Sequence, residues 1–186
     1  PTKQALFMIA LAYLNPGDEV LLPDPSWVSY EAHIRMCGAI PKYVSTSFDD
    51  GFVINPDNVA KQVTSKTKMM VFNSPSNPTG CVQPEATLKG IADICKDNDI
   101  IVLSDEIYEN IIYDGKHHSI AAMPDMFERT ITVSGLSKTY AMTGWRLGYA
   151  IAPADICRKI AMLKPTHIMI DDDFRMYTGS SQAGCL

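Results

Sequence analysis

The chain has 186 residues, enough for one sizeable domain, and 46% of them are apolar, which supplies the material for a packed core. A formal net charge of -5 argues against a nucleic-acid surface, because phosphate binding needs a clustered excess of lysine and arginine. No apolar run reaches the roughly 18 residues of a membrane-spanning helix, so no membrane partner is expected. The five cysteines, Cys37, Cys81, Cys95, Cys157 and Cys185, are scattered and form no C-x-x-C pair. That fits neither a disulfide framework nor a zinc site and suits free thiols in the cytoplasm.

The chain does not open on Met and lacks the composition of a signal peptide; it enters at once into a helical pattern, as a segment of a longer chain would. Leu6, Ile9, Ala10 and Tyr13 recur at helical spacing and predict a helix over residues 2–14, ended by the NPGD run at 15–18. Residues 19–22 form a short strand. A helix follows Pro25 and Ser26, running through Trp27, Tyr30 and Ile34 to a stop at Gly38, and residues 40–44 are a second strand. Asn55 and Pro56 open a helix through Val63. Residues 68–73 are a strand, and 74–80 a loop built almost wholly of turn formers. Pro84 leads a helix with Leu88, Ile91, Ala92 and Cys95 on one face. Strands at 100–103 and 130–133 end at Ser104-Asp105 and near Ser134-Gly135. A further strand at 147–151 precedes a helix that begins at Pro153 and carries Ile156, Ile160 and Leu163. Within 164–179, the triple Asp171, Asp172, Asp173 is expected to be a solvated loop, and no metal site is expected.

Apolar strands alternating with helices predict an α/β protein, a mainly parallel sheet covered by helices on both faces as a three-layer α/β/α sandwich. In such sheets ligands sit at the carboxyl ends of the strands. The polar clusters at 73–80, 104–108 and 134–146 all follow predicted strands, so the functional site is expected there.

The sharpest cluster is the run from Ser134 to Tyr149, SGLSKTYAMTGWRLGY. Its Lys138 is flanked by hydroxyls at Ser137 and Thr139, and Arg146 follows at the start of the next strand. An arginine fork suits a phosphate better than a lysine does. An apolar strand ending in SDEIYE at 104–109 and an SPSNPTG loop at 74–80 would each, alone, be an ordinary turn. Trp27 alone would be a core aromatic, and His117-His118 an exposed turn after Asp114-Gly115.

Taken together these segments resemble the class I and II aminotransferases of the pyridoxal-phosphate-dependent fold-type I superfamily, over residues 2 to about 160. The resemblance implies that the chain is most of the large cofactor-binding domain, with a smaller domain made from both chain ends outside it. It implies pyridoxal 5'-phosphate as cofactor, held as a Schiff base by Lys138, which also moves the substrate's α-proton. Asp105 would pair with the pyridine nitrogen, Tyr108 and Asn77 would donate to the phenolic oxygen, and Trp27 would lie against the ring. Arg146, Ser137 and the helix start at Thr2 and Lys3 would take the phosphate. Many relatives carry Ser or Thr three residues before the lysine, where this chain has Gly135. Glu106 faces away and is structural. The reaction implied is ping-pong amino transfer from an amino acid to a 2-oxo acid by a homodimer. Another enzyme on the same scaffold, a carbon–sulfur lyase or an aminocyclopropane-carboxylate synthase, stays open beside it, as does a non-catalytic cofactor-binding fragment. Substrate identity is not legible in these residues.

Overall fold

The computed structural model describes residues 2–163, 168–170 and 176–178. The Asp171–Asp173 run, Ser180–Gln182 and Cys185 lie outside the described residues. Five strands, β1 (Glu19–Asp24), β2 (Ile40–Ser45), β3 (Thr67–Asn73), β4 (Ile101–Asp105) and β5 (Thr130–Gly135), pair in parallel. Strands β6 (Gly148–Ile151), β7 (Ile168–Ile170) and β8 (Met176–Thr178) extend the sheet with antiparallel pairings, in the order β2-β1-β3-β4-β5-β6-β8-β7. The helices are α1 (Thr2–Tyr13), α2 (Val28–Met36), α3 (Pro56–Gln62), α4 (Glu85–Asp97), α5 (Leu136–Thr139) and α6 (Ala154–Ala161).

The two sheet faces are built by alternate residues of the same apolar strands, as the period of two requires. Val20, Leu22, Met69, Val71, Ile131 and Val133 point to one face and pack under α1, α2 and α6. Leu21, Met70, Phe72 and Val102 point to the other and pack under α3 and α4. These two cores make the three layers. Strand β3, TKMMVFN, shows why a parallel strand reads as continuously apolar: both faces are buried.

Three sequence expectations need correction. Trp27 is not inside α2 but precedes it in extended backbone, where it can turn toward the sheet end. Helix α6 stops at Ala161, short of Leu163, which was expected to lie on it and is 43% exposed. His117, expected in an exposed turn, is largely buried; its Nε2 lies 2.8 Å from Glu106 Oε2, because the loop folds back onto the end of β4.

One topological fact places the site. Strand β6 runs antiparallel to β5, and Gly148 pairs with Gly135. The start of β6 therefore lies beside the end of β5, which brings Arg146 to the sheet edge that carries Lys138. The register Asn73 beside Asp105, and Asp105 beside Val133, aligns the ends of β3, β4 and β5 at that same edge.

Candidate functional site

A cavity of about 250 Å³ opens at these strand ends. Thr2, Lys3, Trp27, Asn77, Asp105, Tyr108, Ser137, Lys138 and Arg146 all line it. The nine residues expected to contact a bound group are thus brought to one place from five separated segments. Leu6, Tyr30, Ile107 and Thr143 complete the lining.

Asp105 is the last residue of β4 and is only 3% exposed. Its carboxylate accepts a 2.8 Å hydrogen bond from the Tyr30 hydroxyl and one of 3.2 Å from the Ile107 N–H. Burial dominates over these donors, with a small push from neighbouring Glu106, and lifts the carboxyl from its usual 3.8 to about 6. Tyr30, in turn, is pushed well above the usual tyrosine range by burial and by the adjacent carboxylate. The sequence reading did not place Tyr30 in the site. Its signal was the spacing to Trp27, one helical turn away; the two rings meet edge to face at 5.3 Å between centroids.

Asn73 was also missed. Its Nδ2 donates 2.8 Å to the Asp105 carbonyl, and its Oδ1 accepts 2.8 Å from the Asn77 N–H. One buried amide therefore ties the 74–80 loop to the end of β4. A polar residue closing the apolar run of β3 was the available clue. Asn77 itself faces the cavity from this loop.

Tyr108 stands on the turn after β4, with its ring centroid 5.5 Å from Lys138 Nζ. Lys138 lies in the short α5, directly after β5. Lys3 Nζ lies 4.8 Å from the Trp27 ring centroid at the rim. Arg146 adopts a left-handed backbone with φ of 52°, and its Nη1 donates 2.8 Å to the Thr143 carbonyl. A non-glycine residue in that region costs energy and recurs at functional sites.

Gly135 explains the departure noted in the sequence. A methyl group there would lie 2.9 Å from the Leu147 carbonyl, 3.0 Å from Gly148 Cα and 3.1 Å from the Thr2 hydroxyl. Backbone approach between β5 and β6 leaves no space for a side chain, and the Thr2 hydroxyl at the start of α1 stands beside it. Thr2 and Lys3, the first residues of α1, line the same cavity, and the first N–H groups of a helix have no intrahelical acceptor, an arrangement that favours anions.

A mostly parallel sheet with a pocket of converging charged and polar groups at its strand ends defines an α/β ligand-binding domain. The chain belongs to the aminotransferase class I and II family, whose pattern matches residues 2–179. It is 50% identical over 159 residues to an aspartate aminotransferase of Pyrococcus abyssi, a match covering 85% of this chain and 41% of that protein. Among solved structures, the Thermus thermophilus aspartate aminotransferase with maleate is 42% identical with a TM-score of 0.85, covering 87% of this chain and 42% of that one. An aromatic aminotransferase from Pyrococcus horikoshii OT3 is 47% identical, also with a TM-score of 0.85, over 87% of this chain and 44% of that one. The chain thus spans less than half the length of these relatives. The cofactor of this family is pyridoxal 5'-phosphate.

Proposed function

We propose that the protein is a pyridoxal-phosphate-dependent aminotransferase that moves an amino group from an amino acid to a 2-oxo acid by a ping-pong mechanism, and that this chain forms most of its large cofactor-binding domain. The observation that carries this reading is the cavity in which an amine, Lys138, a buried carboxylate, Asp105, and a guanidinium, Arg146, converge. Among the described residues no lysine, arginine or histidine pairs with Asp105, so its carboxylate lacks a cationic partner. A protonated ring nitrogen is the complement that such a buried carboxylate needs.

When bound, the cofactor supplies an aldehyde that condenses with amines and a ring that accepts the electron pair released at the substrate's α-carbon. The chain's own residues supply the rest. Asp105 holds the proton on the ring nitrogen, helped by Tyr30, which keeps the carboxylate oriented. The Tyr108 hydroxyl and the Asn77 amide, both at the cavity, would donate to the phenolic oxygen, and Trp27 would lie against the ring. Arg146, Ser137 and the helix start at Thr2 and Lys3 hold the phosphate, the arginine as a fork and the helix through its free N–H groups. Lys138 binds the cofactor covalently and moves the proton at the substrate's α-carbon. The second, smaller domain, the group that grips the substrate carboxylate and a partner copy in a homodimer come from outside this chain. A cytoplasmic location fits the free thiols among the described residues.

The test is glutamate formation by the intact protein supplied with the cofactor, 2-oxoglutarate and a panel of amino donors that includes aspartate and aromatic amino acids. No glutamate with any donor, alongside ammonia or thiol release, would move the assignment to a lyase on the same scaffold. Lys138→Ala is expected to abolish borohydride-trapped cofactor, read by mass; a trapped adduct in that variant would refute the role of Lys138.

A further inference from the structure

Tyr108 reaches the cavity from a tight turn whose backbone bonds, Glu109 N–H to Glu106 carbonyl at 2.9 Å and Ile111 N–H to Tyr108 carbonyl at 2.8 Å, fix its shape. They do not fix where the turn sits relative to β5 and β6. The Glu106 N–H, which donates to the Val133 carbonyl at 2.8 Å, ties the start of the turn to β5, and the Glu109 carboxylate, which does not line the cavity, reaches both strands. Glu109 Oε1 accepts from the Ser134 hydroxyl on β5 at 3.1 Å and from the Tyr149 hydroxyl on β6 at 3.3 Å. Ser134 immediately precedes the Lys138 segment and Tyr149 closely follows Arg146. The neighbouring Asn110 amide reaches the Thr139 hydroxyl, beside Lys138, at 3.5 Å. At the other end of the loop, Glu106 accepts from Ser104 at 2.8 Å and Ser119 at 2.7 Å, and lies 2.8 Å from His117 Nε2.

Glu106, Glu109 and His117 place ligand atoms within 4.8 Å of one another, the gathering a metal ion would need. Direct hydrogen bonding accounts for it instead. Both Glu106 oxygens are already engaged, and 2.8 Å is the length of a charge-assisted hydrogen bond.

We propose that Glu109 is a positioning residue, a strut between β5 and β6 that sets Tyr108 against Lys138 and Arg146, while Glu106 and His117 brace the far end of the same loop. The half-buried carboxylate is held by hydroxyl donors from both strands that bear the cofactor-binding segments. Removing it leaves the turn anchored to β5 at Glu106, whose N–H bonds the Val133 carbonyl at 2.8 Å, so that residues 107–111 swing from that point while each strand stays intact. A shift of about 1 Å at a site of this kind is enough to impair function. The proposal rests on the reading of Tyr108 as a donor to the bound cofactor.

The test uses the intact protein and variants E109A, E109Q, Y108F and E109A/Y108F. Pyridoxal-phosphate affinity and the pH midpoint of the bound cofactor's visible absorbance are measured for each. Glu109→Ala is expected to weaken binding about tenfold, the scale of one charge-assisted hydrogen bond. It should also move the midpoint in the same direction as Tyr108→Phe, with the double variant no worse than Tyr108→Phe alone. Glu109→Gln, whose carbonyl still accepts from both hydroxyls, should stay near the parent. Additive effects in the double variant, or parental behaviour of Glu109→Ala, would overturn the proposal. A parent that binds no cofactor would sink the functional reading instead. The strut is then judged by amide exchange over residues 106–111 of the unloaded protein, faster in Glu109→Ala than in Glu109→Gln if it exists and equal in the two if it does not.

Discussion

Asp105→Asn separates stability from function at the centre of the site. The carboxyl is 3% exposed, and burial lifts it from the usual 3.8 to about 6. A group whose folded value lies above its unfolded value binds more protons when folded, so stability falls as pH rises between those two values. Without cofactor, the protein therefore carries at pH 7.5 the full cost of an ionised buried carboxylate, and at pH 4.5, still above the unfolded value, about a third of it. The gap between 3.8 and about 6 corresponds to roughly 3 kcal/mol. Asparagine has nearly the shape of the neutral carboxyl, and its carbonyl can accept from the Ile107 N–H while its amide donates to the Tyr30 oxygen. The cofactor-free Asp105→Asn protein should thus be more stable than the parent at pH 7.5 by up to about 3 kcal/mol, with the advantage shrinking toward pH 4.5. Urea unfolding of the intact, cofactor-free proteins at both pH values measures this. Cofactor affinity should move the opposite way, since the neutral amide cannot balance a protonated ring nitrogen. A variant less stable than the parent at pH 7.5, or a difference that does not change with pH, would refute the reasoning.

Tyr30→Phe removes the hydroxyl that donates 2.8 Å to Asp105 and should cost the cofactor-free protein about 1–3 kcal/mol at pH 7.5. The loss should shrink at pH 4.5, where the carboxyl is neutral; an equal loss at both pH values in urea unfolding would show that the bond does not favour the ionised form. Gly135→Ala sets a methyl 2.9 Å from the Leu147 carbonyl, forces β5 and β6 apart and should destabilise by roughly 1–3 kcal/mol. An unchanged thermal transition would show that the strand ends are free to separate.

The layers and the main cluster of reactive groups were legible along the chain. Continuous apolar runs at 69–72 and 100–103, with the β-branched run TITV at 130–133, suit burial on both faces, so the parallel three-layer sheet followed from composition and period. The SGLSKTYAMTGWRLGY run, the SDEIYE strand end and the NPTG loop are local strings whose residue types carry chemistry, and all of them meet at one cavity. The partnerships set by strand order and register were not legible there and emerge only in the folded chain. Tyr30 and Asp105 lie 75 positions apart, Asn73 and Asp105 lie 32 apart, and Glu109 and Tyr149 lie 40 apart, so no local pattern announces them. The reversal of β6 is of the same kind, because a short apolar strand has the same pattern in either direction. His117 beside Glu106 was lost for a related reason: a polar loop residue is buried only when the chain folds back to offer it a partner. Side-chain period is written along the chain, whereas a buried carboxylate takes whichever donors the sheet brings beside it.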